Sequence, residues 1–82
     1  MRDEDLAAEA EIVAVRMRAA GIWVSFDLLV DVKTAAYMLG KSEGTMKNWR
    51  YMGVGPEPIF IRDRSCYRII DLLRERKSDR AA

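Results

Sequence analysis

The sequence predicts a mainly α-helical domain with one small β-hairpin. Three observations carry this reading. Two short helical stretches, Val32 to Leu39 and Glu43 to Met52, are separated by a tight turn at Gly40-Lys41. The breaker Gly53-Val54-Gly55-Pro56-Glu57-Pro58 follows, and it cannot be helical. Two short arginine-bearing strands and a closing helix complete the chain.

Residues 3–20 read as a first helix. Asp3 or Asp5 can cap its start, and acidic side chains in the first turn suit the helix dipole. Leu6, Ala10, Val13, Met17 and Ala20 recur at four- and three-residue spacing and give one apolar face, which Ile12 and Val15 widen. Gly21 is the expected stop. Ile22 to Val30 is ambiguous. Alternation of Ile22, Val24, Phe26 and Leu28 allows a strand, while Ser25 ahead of Phe26-Asp27-Leu28-Leu29 allows a capped helical turn. A short turn or extended lead-in is favoured.

Asp31 is the expected N-cap of the second helix, residues 32–39, with Val32, Ala35, Ala36 and Leu39 inward. Small Ala35 and Ala36 allow another helix to approach closely. Gly40 closes the helix, because glycine enters the left-handed region without a steric penalty. Ser42 caps the third helix, residues 43–52. At about 100° per residue, Met46 and Trp49 turn inward with Thr45 at their edge. Gly44, Lys47, Asn48 and Tyr51 turn outward, and Glu43 and Arg50 lie on the flanks. Such an outer face suits a duplex: lysine can reach phosphate or guanine, and asparagine can read adenine with two hydrogen bonds. Tyrosine hydroxyls reach phosphate.

Beyond the breaker, residues 59–62 read as a strand, 63–65 as a tight turn and 66–68 as a return strand. A last helix starts at Ile69 with Ile69, Leu72 and Leu73 inward. Residues 77–82 read as a frayed polar tail.

Charge is unevenly distributed. Residues 1–31 hold three basic and seven acidic side chains, a net −4, whereas residues 32–82 hold eleven basic and six acidic, a net +5. A basic body behind an acidic leader suits contact with phosphates. The 82 residues fit one domain, half of them are hydrophobic, and no stretch approaches the length of a membrane helix. Cys66 is the single cysteine and there is no histidine, which excludes an internal disulfide and argues against a metal site. No nucleophile lies beside a base and no phosphate loop is present, so neither an enzyme nor a cofactor is expected. A cytoplasmic location, in a bacterial cell or a phage-infected host, is the expectation.

Together the two helices, the Gly-Pro connector, the arginine-bearing hairpin and the closing helix describe a winged helix-turn-helix with an extra N-terminal helix. At this point the chain resembles the excisionase-like, AlpA-like small regulators of the MerR superfamily. The resemblance rests on Ala35-Ala36, Leu39-Gly40, Ser42, Asn48-Trp49-Arg50, Gly53-Val54-Gly55-Pro56, Phe60-Ile61-Arg62, Tyr67-Arg68 and Asp71-Leu72. It covers residues 28–76, leaving 1–27 as an N-terminal extension and 77–82 as the tail. The wing is shorter than usual and lacks a glycine at its tip.

The resemblance implies sequence-selective binding of double-stranded DNA by a phage or mobile-element protein. Such a protein acts in excision, as a recombination directionality factor beside a site-specific recombinase, or as a transcriptional regulator. DNA-packaging small subunits use a similar domain. Carried over by position, helix 43–52 enters the major groove with Ser42, Glu43, Gly44, Lys47, Asn48, Arg50 and Tyr51, while Arg62, Arg64 and Arg68 of the wing 59–68 meet phosphates or the minor groove.

Several conspicuous side chains are assigned to packing instead. Trp49 and Tyr67 are read as core aromatics, Cys66 as a small buried strand residue, and Met38, Met46 and Met52 as filler. A second reading keeps the fold and makes it a protein-interaction module that does not bind DNA, since fold alone does not fix function. The N-terminal helix either docks on the core or pairs with another copy, so a homodimer or a DNA-directed array stays open.

Overall fold

A computed structural model describes residues 3–81, and the side chains of residues 4–77. In chain order the elements are α1 (Asp3–Ala19), β1 (Leu29–Asp31), α2 (Val32–Leu39), α3 (Glu43–Met52), β2 (Ile59–Ile61), β3 (Arg64–Arg68) and α4 (Ile69–Ala81). The architecture is mainly helical, with a three-stranded antiparallel sheet in the order β1-β3-β2.

The two central helices begin and end at the expected residues. The Asp31 carboxylate accepts from the Thr34 N–H at 2.9 Å, and the Ser42 hydroxyl accepts from the Thr45 N–H at 3.0 Å. Each bond satisfies an amide that the first helical turn leaves without a partner. At the far end of α2, Gly40 takes φ 67°. The Lys41 N–H then reaches back to the Ala36 carbonyl at 2.9 Å. That closure turns the chain sharply into α3.

One core joins all the helices. Ala35, Ala36 and Leu39 of α2, Met46 of α3, Val30 of β1, Tyr67 of β3 and Ile69, Leu72 and Leu73 of α4 are buried together. Leu6, Ala10 and Ala14 of α1 belong to the same cluster, where α1 lies along α4. The leading helix is therefore docked on the body of the domain through side chains small enough to bring it close.

Five local expectations need correction. First, residues 22–30 contain a strand. Ile22 to Ser25 has no regular secondary structure, a turn follows, and Leu29–Asp31 pairs with Arg68, Tyr67 and Cys66 of β3. The Ser25 hydroxyl accepts from the Leu29 N–H at 2.8 Å and fixes that turn.

Second, the hairpin turn is Arg62-Asp63, because Ile61 pairs with Arg64 and leaves two residues between the strands. Arg62 therefore takes φ 55°, in the left-handed region.

Third, Ile12 and Val15 of α1 do not widen the docked face but point outward, and Ala20 is exposed as well. Ala14 occupies the inner position in their stead. Fourth, α1 already contains both Asp3 and Asp5, so neither stands ahead of the helix as its cap. Fifth, α4 continues as helix to Ala81 where a frayed segment from Lys77 was expected; Ala82 lies outside the described residues.

Candidate nucleic-acid interface

The outward side of α3 is built by its caps and its single inward anchor. Met46 is buried, and Trp49 is half-buried against the same core. With those two facing in, helical spacing sends Gly44, Lys47, Asn48 and Tyr51 out, and all four are exposed, Tyr51 at 75%. α1 packs on α4, so the leading segment does not cover this ridge.

Trp49 also sets the position of the connector that leaves α3. Gly55 lies directly against the Trp49 ring, so that a Cβ at residue 55 would run into it. Gly55 also takes φ 74°, a backbone conformation that other residues enter only with strain. The connector can thus turn tightly under the indole and deliver the chain to β2.

α3 is fastened to the hairpin by Arg50. Its guanidinium donates to the Ser65 hydroxyl at 2.6 Å and lies 5.6 Å from the Tyr51 ring and 5.9 Å from the Phe60 ring. Alternation along β3 places Ser65 and Tyr67 on the side of the sheet toward α3, and Arg64, Cys66 and Arg68 on the other. Between α3 and β3 runs an open cleft of about 340 Å³, lined by Val32, Glu43, Gly44, Lys47, Arg50, Ser65 and Tyr67.

The expected site residues therefore separate. Glu43, Gly44, Lys47 and Arg50 share the cleft, and Asn48 and Tyr51 continue the same exposed ridge. Ser42 is exposed, but its hydroxyl is engaged by the amide and the hydroxyl of Thr45, each at 3.0 Å. Arg50 is half-buried and already bound to Ser65, so it acts as a strut rather than as a free cation. Arg68 donates to Asp71 at 2.8 Å at the opposite end of β3 from the hairpin turn. Arg64 lies 3.8 Å from Asp31 and 5.8 Å from the Trp23 ring. Among the described residues, Lys47 and Arg62 are exposed cations with no partner.

Two further side chains sit at this surface. Phe60 is 60% exposed beside Arg50, and the exposed Lys41 ammonium lies 5.9 Å above the Trp49 ring at the entrance to α3. Lys41 was legible as a basic residue in the turn; Phe60 gave no signal, because its strand neighbours carry the same apolar character.

Burial affects the thiol and the phenol of β3. It pushes the Cys66 thiol above its ordinary value of 9.0, against an opposing pull from Arg64 and with a further push from Asp31 and Asp27. Burial likewise raises the Tyr67 phenol above 10.0, with Arg50 opposing. Both groups are neutral at physiological pH. No group of three or more His, Cys, Asp or Glu side chains among the described residues is placed to hold a metal ion, and no helix among them is long and apolar enough to cross a membrane. No known protein family, curated protein or solved structure matches the chain.

Proposed function

We propose that this chain is a winged helix-turn-helix protein that binds double-stranded DNA sequence-selectively. In this reading α3 enters the major groove, with Lys47 and Asn48 at base edges and Tyr51 at a phosphate. The β2–β3 hairpin follows the backbone or the minor groove as the wing, led by Arg62. Lys41 and the capped start of α3 meet the flanking phosphate.

One observation carries the reading. At two exposed positions, the residue present is the one the fold would not choose. Gly44 has ordinary helical geometry, and a Cβ there would meet only the Ser42 hydroxyl, at 3.7 Å. Nothing internal asks for glycine, which costs roughly 1 kcal/mol relative to alanine in a helix interior and a smaller amount in the first turn, where Gly44 stands. Arg62 stands in a left-handed turn where glycine would be relaxed. A bare backbone on the ridge and a guanidinium at the hairpin tip both suit a polyanion that approaches closely. The role as excision factor or transcriptional regulator of a phage or mobile element rests on the resemblance over residues 28–76.

The exposed rings of Tyr51 and Phe60, both near the Arg50 guanidinium, favour a second reading, a protein-interaction module on the same fold. A salt titration against random duplex DNA separates the two. A DNA binder loses affinity steeply as salt rises, because phosphate contacts release counterions. An interaction module shows no appreciable binding at any salt.

A further inference from the structure

α1 is apolar on two opposite sides. One side, Leu6, Ala10 and Ala14, is buried along α4. The other is Ala8, Ile12, Val15 and Ala19, and all four are exposed, Ile12 at 55% and Val15 at 65%. Their spacing of four, three and four residues is that of the seam between two paired helices. A docked surface helix ordinarily needs a single apolar stripe. The second stripe has no counterpart within the chain among the described residues.

We propose that this outer seam of α1 is the interface between two copies of the chain, paired antiparallel about a two-fold axis. The charge pattern along the helix selects both the occupant and the direction. Glu4, Asp5, Glu9 and Glu11 lie in its first part, and Arg16 and Arg18 lie near its end. Parallel pairing would set Glu4 against Glu9 of the other copy and would give an acidic partner to Arg16 alone, through Glu11. Antiparallel pairing sets each acidic half against the basic end of the other copy.

The seam fixes the register. Ile12 meets Val15 of the second copy, and Ala8 meets Ala19. Two bulky side chains fill the centre, and alanines at the ends let the helices approach closely. In this register Arg16 comes beside Glu9 of the second copy along one edge of the seam, and Arg18 beside Glu11 along the other. Within their own chain, Arg16 and Glu11 have no partner among the described residues. By contrast, Glu9 lies 3.5 Å from Lys77, and Arg18 donates to the Ser25 carbonyl at 2.7 Å. The contact is isologous, each copy giving and receiving the same pairs.

Four seam positions a side bury less than the roughly 1,200–2,000 Å² of a standard interface. The dimer is therefore weak and concentration-dependent. The inference does not rest on DNA binding, since α1 lies on α4 and leaves the α3 ridge untouched. If the chain binds DNA, a two-fold dimer reads an inverted repeat.

Sedimentation equilibrium of the full chain, from micromolar to millimolar and under reducing conditions, tests the proposal. The expected result is a reversible monomer–dimer equilibrium for the natural sequence. The double variant Ile12→Ser/Val15→Ser should stay monomeric with an unchanged circular dichroism spectrum, since both positions are exposed. Arg18→Glu and Glu11→Arg should each weaken pairing about five- to tenfold, and the two together should restore it. A natural chain that is monomeric throughout overturns the proposal. So does a seam variant that pairs normally, or a double charge reversal no better than either single change.

Discussion

The Arg50 guanidinium and the Ser65 hydroxyl, 2.6 Å apart, tie the exposed helix α3 to the middle strand of the sheet. The bond spans fifteen positions of sequence and sets the position of the helix against the hairpin. Ser65→Ala removes the acceptor and leaves a half-buried guanidinium to find water. The expected loss is about 1 kcal/mol of unfolding free energy in urea, with helical content retained. An unchanged urea midpoint would show that the bond contributes nothing to holding the two elements together.

Gly55 against the Trp49 ring is the tightest packing constraint at this surface. Gly55→Ala places a methyl group into the indole and forces alanine to φ 74°. The two effects together should cost about 2–4 kcal/mol. Thermal unfolding followed by circular dichroism measures it. A loss below about 0.5 kcal/mol would mean that the connector relaxes away from the ring.

The two positions at which residue and fold disagree make a paired prediction. Gly44→Ala should stabilise the chain by up to about 0.5 kcal/mol, since residue 44 stands in the first turn of α3 rather than in its interior, and Arg62→Gly by about 0.5–1 kcal/mol as the left-handed strain is relieved. Both should weaken duplex binding, the first by holding the backbone away and the second by removing a cation. Denaturation and fluorescence anisotropy on the same samples check both halves. Variants that gain stability and keep full DNA affinity would remove the argument for function.

The buried thiol and phenol of β3 give an alkaline limit. Both groups have folded-state pKa values raised above their ordinary 9.0 and 10.0, chiefly by burial. The folded state thus holds the proton more tightly than the unfolded state does. Their contribution is complete below the ordinary values and falls away as pH rises through the raised ones. Unfolding free energy should therefore decline above about pH 9, and Cys66→Ala should remove the thiol's share of that decline. A profile equally steep in Cys66→Ala would place its origin elsewhere.

The legible parts of the fold were those with local causes. α2 and α3 were readable to the residue because Asp31 and Ser42 cap them and Gly40 and Gly53 end them within a few positions of one another. β1 was not readable, because its three residues owe their conformation to β3, more than thirty positions away. The hairpin turn was misplaced because Arg62 takes a conformation that no glycine announced. On α1, Ile12 and Val15 outrank Ala14 in hydrophobicity, yet the close approach to α4 selects the alanine.

The candidate site divides in the same way. The outward ridge Gly44, Lys47, Asn48 and Tyr51 follows from helical spacing alone. That Arg50 and Arg68 are held by Ser65 and Asp71 depends on tertiary neighbours, so sequence reasoning counted both among the free cations.

Selection from random duplexes tests the central claim most directly, with the natural chain run beside Lys47→Ala and Asn48→Ala. The account predicts a defined motif for the natural chain. Each variant should lose discrimination at one position of that motif, by about 1–3 kcal/mol. Recovery of no motif by the natural chain, or of an identical motif by both variants, would contradict the assignment of α3 as the element that reads the bases.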